Sequence, residues 1–184
     1  MRTSFQPHRR GLVLGAGAAT LLPALGRAHS RTPDSAMSER PRPVPLGESD
    51  TDWDSITEDE WRDRLTDMQY RILRREGTEW AGTSELNDEK RKGVFICAGC
   101  WLPLFDSETK YESGTGWPSF FDYREGTLGF KTDYKLLIPR KEYHCIRCGG
   151  HQGHVFKDGP EPTGLRYCNN GAALHFVPDE RDAA

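Results

Sequence analysis

No stretch of this chain is long and apolar enough to cross a bilayer as a helix. Its longest run of small and apolar residues, 11–25, falls short of the roughly 20 that a span needs, and Pro23 interrupts it. A basic excess is missing too. The net charge is −3, and residues 1–28 hold Arg2, Arg9, Arg10 and Arg27 with no acid, which leaves −7 on residues 29–184. An acidic body argues against general nucleic-acid binding, which depends on Lys and Arg neutralising phosphates. Cysteine is scarce: there are five, an odd number that excludes complete pairing in internal disulfides. The chain shows no repeat of solenoid length and no low-complexity tract. What remains, with 35% hydrophobic and 29% charged residues, 19 Gly and 12 Pro, is a loop-rich globular protein of one domain plus extra chain.

The extra chain lies at the N-terminus. A basic head with adjacent Arg9 and Arg10 precedes the apolar run, and Gly26-Arg27-Ala28 puts small residues at the two positions that matter for cleavage. This is the layout of a secretory signal peptide over 1–28. The paired arginines point to twin-arginine export, with an ordinary Sec signal as the alternative. No cysteine lies near the cleavage point, so a lipid anchor is not expected there. The mature protein should be periplasmic, with no stable membrane anchor. Residues 29–52, with Pro33, Pro41, Pro43 and Pro45 among Ser, Arg, Gly and Asp, read as a flexible linker. The functional domain is expected over 53–180.

That domain should open with short helices. Ser55 to Glu58 and Thr57 to Glu60 both fit a capping box, in which a hydroxyl and a carboxylate satisfy free N–H groups at a helix start. Trp61 and Leu65 then share a face. Thr66 to Gln69 starts a second helix, expected to turn Met68, Ile72 and Leu73 inward and to stop at Gly77. From Gly93 onward short β-prone runs appear around Phe95, Gly129, Tyr143, Val155, Tyr167 and His175, separated by Gly, Pro, Asp and Asn. The expected fold is mainly β: two antiparallel sheets in a small barrel or sandwich.

Four of the cysteines form two knuckles of equal spacing, Cys97-Ala98-Gly99-Cys100 and Cys145-Ile146-Arg147-Cys148. Each follows a strand-like run, and Gly99 and Gly149 suit tight turns. Two such knuckles can place four thiolates around one Zn2+ ion, a closed shell that marks a structural site. Redox-active dithiols and simple disulfides are the alternatives, though neither pair sits in a βαβ pattern. Four ligands out of five leave Cys168 free. On a strand, Arg166, Cys168 and Asn170 would share a face, and a guanidinium beside a thiol favours the nucleophilic thiolate. His151 and His154 could supply an acid or base. Trp117, on a loop between Gly116 and Pro118, could wall an apolar pocket. Other readings stand beside these: an inert buried thiol, histidines that ligate zinc (though four thiolates already fill a structural site), and a core tryptophan.

Together these elements resemble the methionine sulfoxide reductase B family. The resemblance runs through Gly77-Thr78-Glu79, the two Cys-x-x-Cys knuckles, Pro103 to Ser107, Ser113 to Phe120, Gly153 to Phe156, Asp158-Gly159-Pro160, and Gly164 to Cys168 with Asn170, in family order over about 55–178. It implies a peptide-methionine (R)-S-oxide reductase of two antiparallel sheets with short N-terminal helices. In that chemistry Cys168 attacks the sulfoxide sulfur and becomes a sulfenic acid, a reversible oxidation state. His154, His151 and Asn170 would orient or supply a proton. Trp117 and Phe156 would hold the substrate's methyl group, Arg166 would stabilise the thiolate, and Asp158 would support a histidine. Two positions depart from the family. Thr115 stands where many members carry a resolving cysteine, so an external thiol reductant, either thioredoxin-like or of low molecular weight, should recycle the enzyme. Asn169 stands where an aliphatic residue is usual, and a packing effect alone is expected there. The substrate would be oxidised methionine, free or in proteins. The competing readings are a non-catalytic zinc-binding interaction module on the same fold and a thiol oxidoreductase that uses the Cys-x-x-Cys pairs.

Overall fold

The computed structural model describes residues 41–134 and 139–179. The expected signal peptide, 1–28, and residues 29–40 of the expected linker lie outside the described residues. Among the described residues no helix is long and apolar enough to cross a membrane. Residues 41–52 contain neither helix nor strand, and Val44 N–H donates to Trp101 C=O at 2.9 Å.

Two short helices come first, α1 (Glu58–Arg64) and α2 (Asp67–Leu73). Both start at true capping boxes: Thr57 with Glu60, and Thr66 with Gln69. At seven residues each, they are too short to be stable alone and depend on packing. Trp61 and Leu65 are buried as the spacing requires. In α2 the inward set differs from expectation. Tyr70, Ile72 and Leu73 are buried, whereas Met68 is exposed. Met68 sits in the first turn, beside the solvent-facing Asp67, and its sulfur lies 3.5 Å from Arg71 Nη2. Gly77 ends the segment in another way too. The left-handed residue is Glu76 (φ 51), and Gly77 N–H closes on Arg71 C=O at 3.0 Å, where a Cβ would meet that oxygen at 2.8 Å.

Among the described residues nine strands follow: β1 (Gly93–Cys97), β2 (Pro103–Asp106), β3 (Lys110–Tyr111), β4 (Ser119–Phe120), β5 (Leu128–Asp133), β6 (Arg140–Cys145), β7 (His151–Phe156), β8 (Arg166–Asn169) and β9 (Leu174–Pro178). They form a three-stranded sheet, β2-β1-β9, and a six-stranded sheet, β3-β4-β8-β7-β6-β5, with antiparallel pairing throughout. Aromatic rings join the two. Phe105 stacks on Phe120 with centroids 4.1 Å apart, and Phe95 meets Phe120 edge-on at 5.0 Å. Tyr143 and Tyr167 close the same cluster against Phe105. Offset and edge-on pairs of this kind add about 0.5–1.5 kcal/mol each beyond burial.

The site depends on one row of this sheet. In register across four strands lie Ser119, Cys168, His154 and Glu142, with Cys168 on β8 near the middle. Strand alternation turns Tyr167 and Asn169 into the core and leaves Cys168 half-buried on the opposite face.

Candidate active site and metal centre

The two knuckles have matching backbones. Trp101 N–H closes on Cys97 C=O at 2.8 Å, and Gly149 N–H closes on Cys145 C=O at 2.9 Å. Cys97 N–H then donates to Leu102 C=O at 2.8 Å, and Cys145 N–H to Gly150 C=O at 2.9 Å. The residue after each second cysteine is left-handed: Gly149 at φ 66 and Trp101 at φ 62. Gly149 therefore has the role expected of it, whereas in the first knuckle the strained position falls on Trp101 and not on Gly99. All four sulfurs are buried and lie within 4.8 Å of one another. Cys97–Cys148 and Cys100–Cys145 are 3.7 and 3.4 Å apart. Four thiolates at about 2.3 Å from a tetrahedral zinc would be about 3.8 Å apart. The donor set and its spacing thus fit a metal ion, and the ligand shell is complete without water. Hydrogen bonds among the crowded thiols push Cys97 and Cys148 well up and hold Cys145 well down.

A cavity of about 120 Å3 opens on the other face of the large sheet. Trp117, His154, Phe156, Cys168 and Asn170 line it, so the fold gathers five residues that are scattered in sequence. Arg140 and Thr78 also line it; Thr78 falls in the Gly77-Thr78-Glu79 motif without having been singled out, and no local motif marks Arg140. The Trp117 ring is held by its Nε1–H, which donates to Glu79 C=O at 3.3 Å. Its loop turns at Gly114 (φ 71) and Gly116 (φ 85), and a Cβ on Gly116 would meet Gly82 N at 2.8 Å.

His151 and His154 are three apart on a strand, which by alternation should put them on opposite faces. A bulge removes the conflict. Tyr143 pairs with Gly153 and His144 with His151, so Gln152 is an extra residue on β7. The two imidazoles lie 5.5 Å apart, edge to face. His154 borders the cavity; His151 is buried behind it. Each histidine has its own carboxylate. His154 Nε2 is 2.7 Å from Asp133 Oδ2, and His151 Nδ1 is 2.8 Å from Glu142 Oε1. Asp133 in turn accepts from Arg140 at 2.8 Å. Burial lowers the His154 pKa, and Asp133 partly offsets the effect. Burial works against the Glu142 carboxylate, but His151 and Lys131 hold its pKa below the usual value.

Asp158 does not support a histidine. It binds Arg166 through two bonds, at 2.9 and 2.8 Å, and the guanidinium also lies over the Phe156 ring at 4.4 Å. Arg166 is buried and, with its charge shared by Asp158, does not line the cavity. Its pull on Cys168 is real but smaller than the cost of burial. Burial pushes the Cys168 thiol up, against Arg166 and a hydrogen bond from Thr115. Burial thus outweighs the neighbouring guanidinium and disfavours a standing thiolate in the free site. Thr115 belongs to a hydroxyl chain, with Ser113 2.8 Å from both Thr115 and Ser119. Asn169 does more than pack: its buried amide bonds to Tyr143, Gln152 and the Asn170 C=O.

Glu79 is a further residue whose part the sequence does not reveal. Its buried carboxylate accepts from Gly171 N–H at 2.5 Å and Ala172 N–H at 2.9 Å, and its own N–H donates to Asn170 Oδ1 at 3.1 Å. It joins the Trp117 anchor to the turn after Cys168.

A half-buried thiol, an aromatic wall and imidazoles paired with carboxylates surround a small cavity, beside a four-cysteine cluster whose donors suit a metal ion. Comparison with known proteins narrows the class. Residues 65–178 match the SelR domain family. The chain is 50% identical over 121 residues to the peptide methionine sulfoxide reductase MsrB of Leptospira interrogans, covering 65% of this chain and 92% of that protein. It is 49% identical over 125 residues to the MsrB of Methanosarcina barkeri, covering 67% and 88%. It is 47% identical over 141 residues to the chloroplastic peptide methionine sulfoxide reductase B1 of Arabidopsis thaliana, covering 76% and 70%. This chain belongs to the methionine sulfoxide reductase B family.

Proposed function

We propose that the protein reduces the R epimer of methionine sulfoxide, free or in polypeptides, with Cys168 as nucleophile. The observation that carries this reading is the cavity in which Cys168, His154, Asn170, Trp117 and Phe156 converge. The Cys168 sulfur attacks the sulfoxide sulfur, and the S–O bond breaks as the oxygen passes to Cys168. The products are the thioether and a cysteine sulfenic acid. The leaving oxygen needs one proton. Burial favours the thiol form of Cys168, whose own proton can supply that need, carried by His154 while Asp133 fixes the ring. His151, braced by Glu142, backs His154, and Asn170 offers its amide to the oxygen. Trp117 and Phe156 take the methyl group. Arg166 favours the thiolate as it forms.

Thr115 cannot resolve the sulfenic acid, and the remaining cysteines are buried in the metal centre. Recycling therefore needs two external thiols: the first forms a mixed disulfide with release of water, and the second displaces Cys168. The metal is proposed to be zinc, which when bound supplies no reaction step and clamps β1 to the β6–β7 turn. Export to the periplasm by the twin-arginine route rests on Arg9, Arg10 and the apolar run after them. Folding before export would let the metal load in a reducing compartment.

The non-catalytic module is the less favoured reading, since a buried interaction scaffold has no use for a cavity at Cys168. The test is turnover of separated R and S sulfoxide epimers with dithiothreitol, alongside metal analysis. Reduction of the R epimer alone, with one zinc per chain, is expected. No turnover of either epimer by zinc-loaded protein would refute the proposal.

A further inference from the structure

One buried polar chain takes no part in the proposed reaction. Gln152, Asn169 and Tyr143 are wholly buried. The Tyr143 hydroxyl donates to Asn169 Oδ1 at 2.8 Å. Asn169 Nδ2 donates to Asn170 C=O at 2.8 Å and reaches Gln152 Oε1 at 3.4 Å. Gln152 Nε2 then donates to Cys97 Sγ at 3.4 Å. The Gln152 C=O accepts both the N–H and the Nδ2 of Asn170, each at 2.9 Å. Gln152 is also the extra residue of the β7 bulge that puts His151 and His154 on one side. A single residue thus touches a metal-centre sulfur with its side chain and holds the active-site strand with its backbone.

An amide N–H aimed at sulfur is suited to a metal-bound thiolate, whose charge strengthens the bond. Groups that hydrogen-bond to metal ligands fix ligand orientation and help retain the metal. We propose that Gln152 is a positioning residue that couples the four-cysteine metal centre to the active site: its N–H···S bond to Cys97 helps retain the metal, and the metal-bound sulfur in turn fixes the bulge that aligns His151 and His154. Asn169 makes this arrangement tolerable. A buried glutamine oxygen needs a donor, and Asn169 supplies one where the family resemblance leads one to expect an aliphatic side chain.

The test compares metal-loaded, full-length wild type with Gln152→Met and with the triple variant Gln152→Met, Asn169→Leu, Tyr143→Phe. The triple variant removes the whole polar chain and so leaves no stranded partner. It is expected to unfold at nearly the wild-type temperature yet to release metal to a chromogenic chelator about 10-fold faster or more. The single variant should release metal at least as fast and also unfold earlier. A triple variant that keeps its metal as long as wild type would overturn the proposal. The turnover arm rests on the reductase reading above. With metal confirmed bound, the triple variant should lose kcat while KM barely changes, and unaltered kcat would overturn the coupling. Absence of turnover in every protein, wild type included, would refute the reductase reading and leave the metal-release result to decide this one.

Discussion

Replacing Glu79 tests how the active-site turn is held. Its carboxylate, only 6% exposed, accepts two backbone N–H groups, from Gly171 and Ala172. Hydrogen bonds to a charged group contribute about 1.5–3 kcal/mol each, and a buried donor left without a partner costs about 1–3 kcal/mol. Glu79→Ala strands both donors, so a loss of about 3 kcal/mol or more in unfolding free energy is expected. Glu79→Gln keeps one acceptor oxygen and should lose about half as much. Urea unfolding followed by tryptophan fluorescence measures both, and the m value should stay constant if the variants change stability alone. Turnover should fall more than in proportion to the folded fraction, because the same turn carries Asn170 and follows Cys168. An alanine variant within about 0.5 kcal/mol of wild type would refute the reasoning, since it would mean that water replaces the carboxylate at no cost.

Four further outcomes follow from the site. Thr115→Cys puts a thiol within hydrogen-bonding reach of Cys168; one equivalent of substrate should then give an intramolecular disulfide, seen by mass spectrometry as a loss of two hydrogens. Asp133→Asn removes the carboxylate that orients His154 at 2.7 Å; kcat should fall about 10-fold or more, part of the roughly 100- to 10,000-fold that general acid–base catalysis contributes. Burial raises the Cys168 thiol above its ordinary value of 9.0, so its alkylation rate should still be climbing past pH 9. Arg166→Met, which removes the charge that favours thiolate, should move that climb to higher pH, and a plateau near pH 7 would contradict the assignment.

The sequence made some parts of this molecule plain and hid others for identifiable reasons. The knuckles and capping boxes were legible because their chemistry is local: a thiolate pair or a capping hydroxyl acts within four residues. Tyr143 and Tyr167 fell in runs whose β character was clear. Strands as short as Lys110–Tyr111 and Ser119–Phe120 carry too few residues to show an alternation, and they form only because β8 and each other supply partners. Asp133, Arg140 and Glu142 were invisible as site residues because strand pairing, not spacing, brings them to the histidines. His151 and His154 were identified as candidates, but simple alternation would have separated them; the bulge at Gln152 is what unites them. The state of Cys168 depended on burial, which neighbours in sequence do not reveal. Alternation correctly turned Asn169 away from the thiol, but its hydrogen bonds follow from Tyr143 and Gln152, on other strands.

The most direct test of the account is the chemical fate of Cys168 during one turnover without reductant. Metal-loaded protein treated with one equivalent of R-methionine sulfoxide should gain one oxygen, trapped on Cys168 by a sulfenic-acid reagent and located by peptide mass mapping. One methionine should be released per chain, and the four metal-centre cysteines should be unchanged. Methionine formed while Cys168 stays reduced, or the oxidation found on Cys97, Cys100, Cys145 or Cys148 instead, would contradict the account.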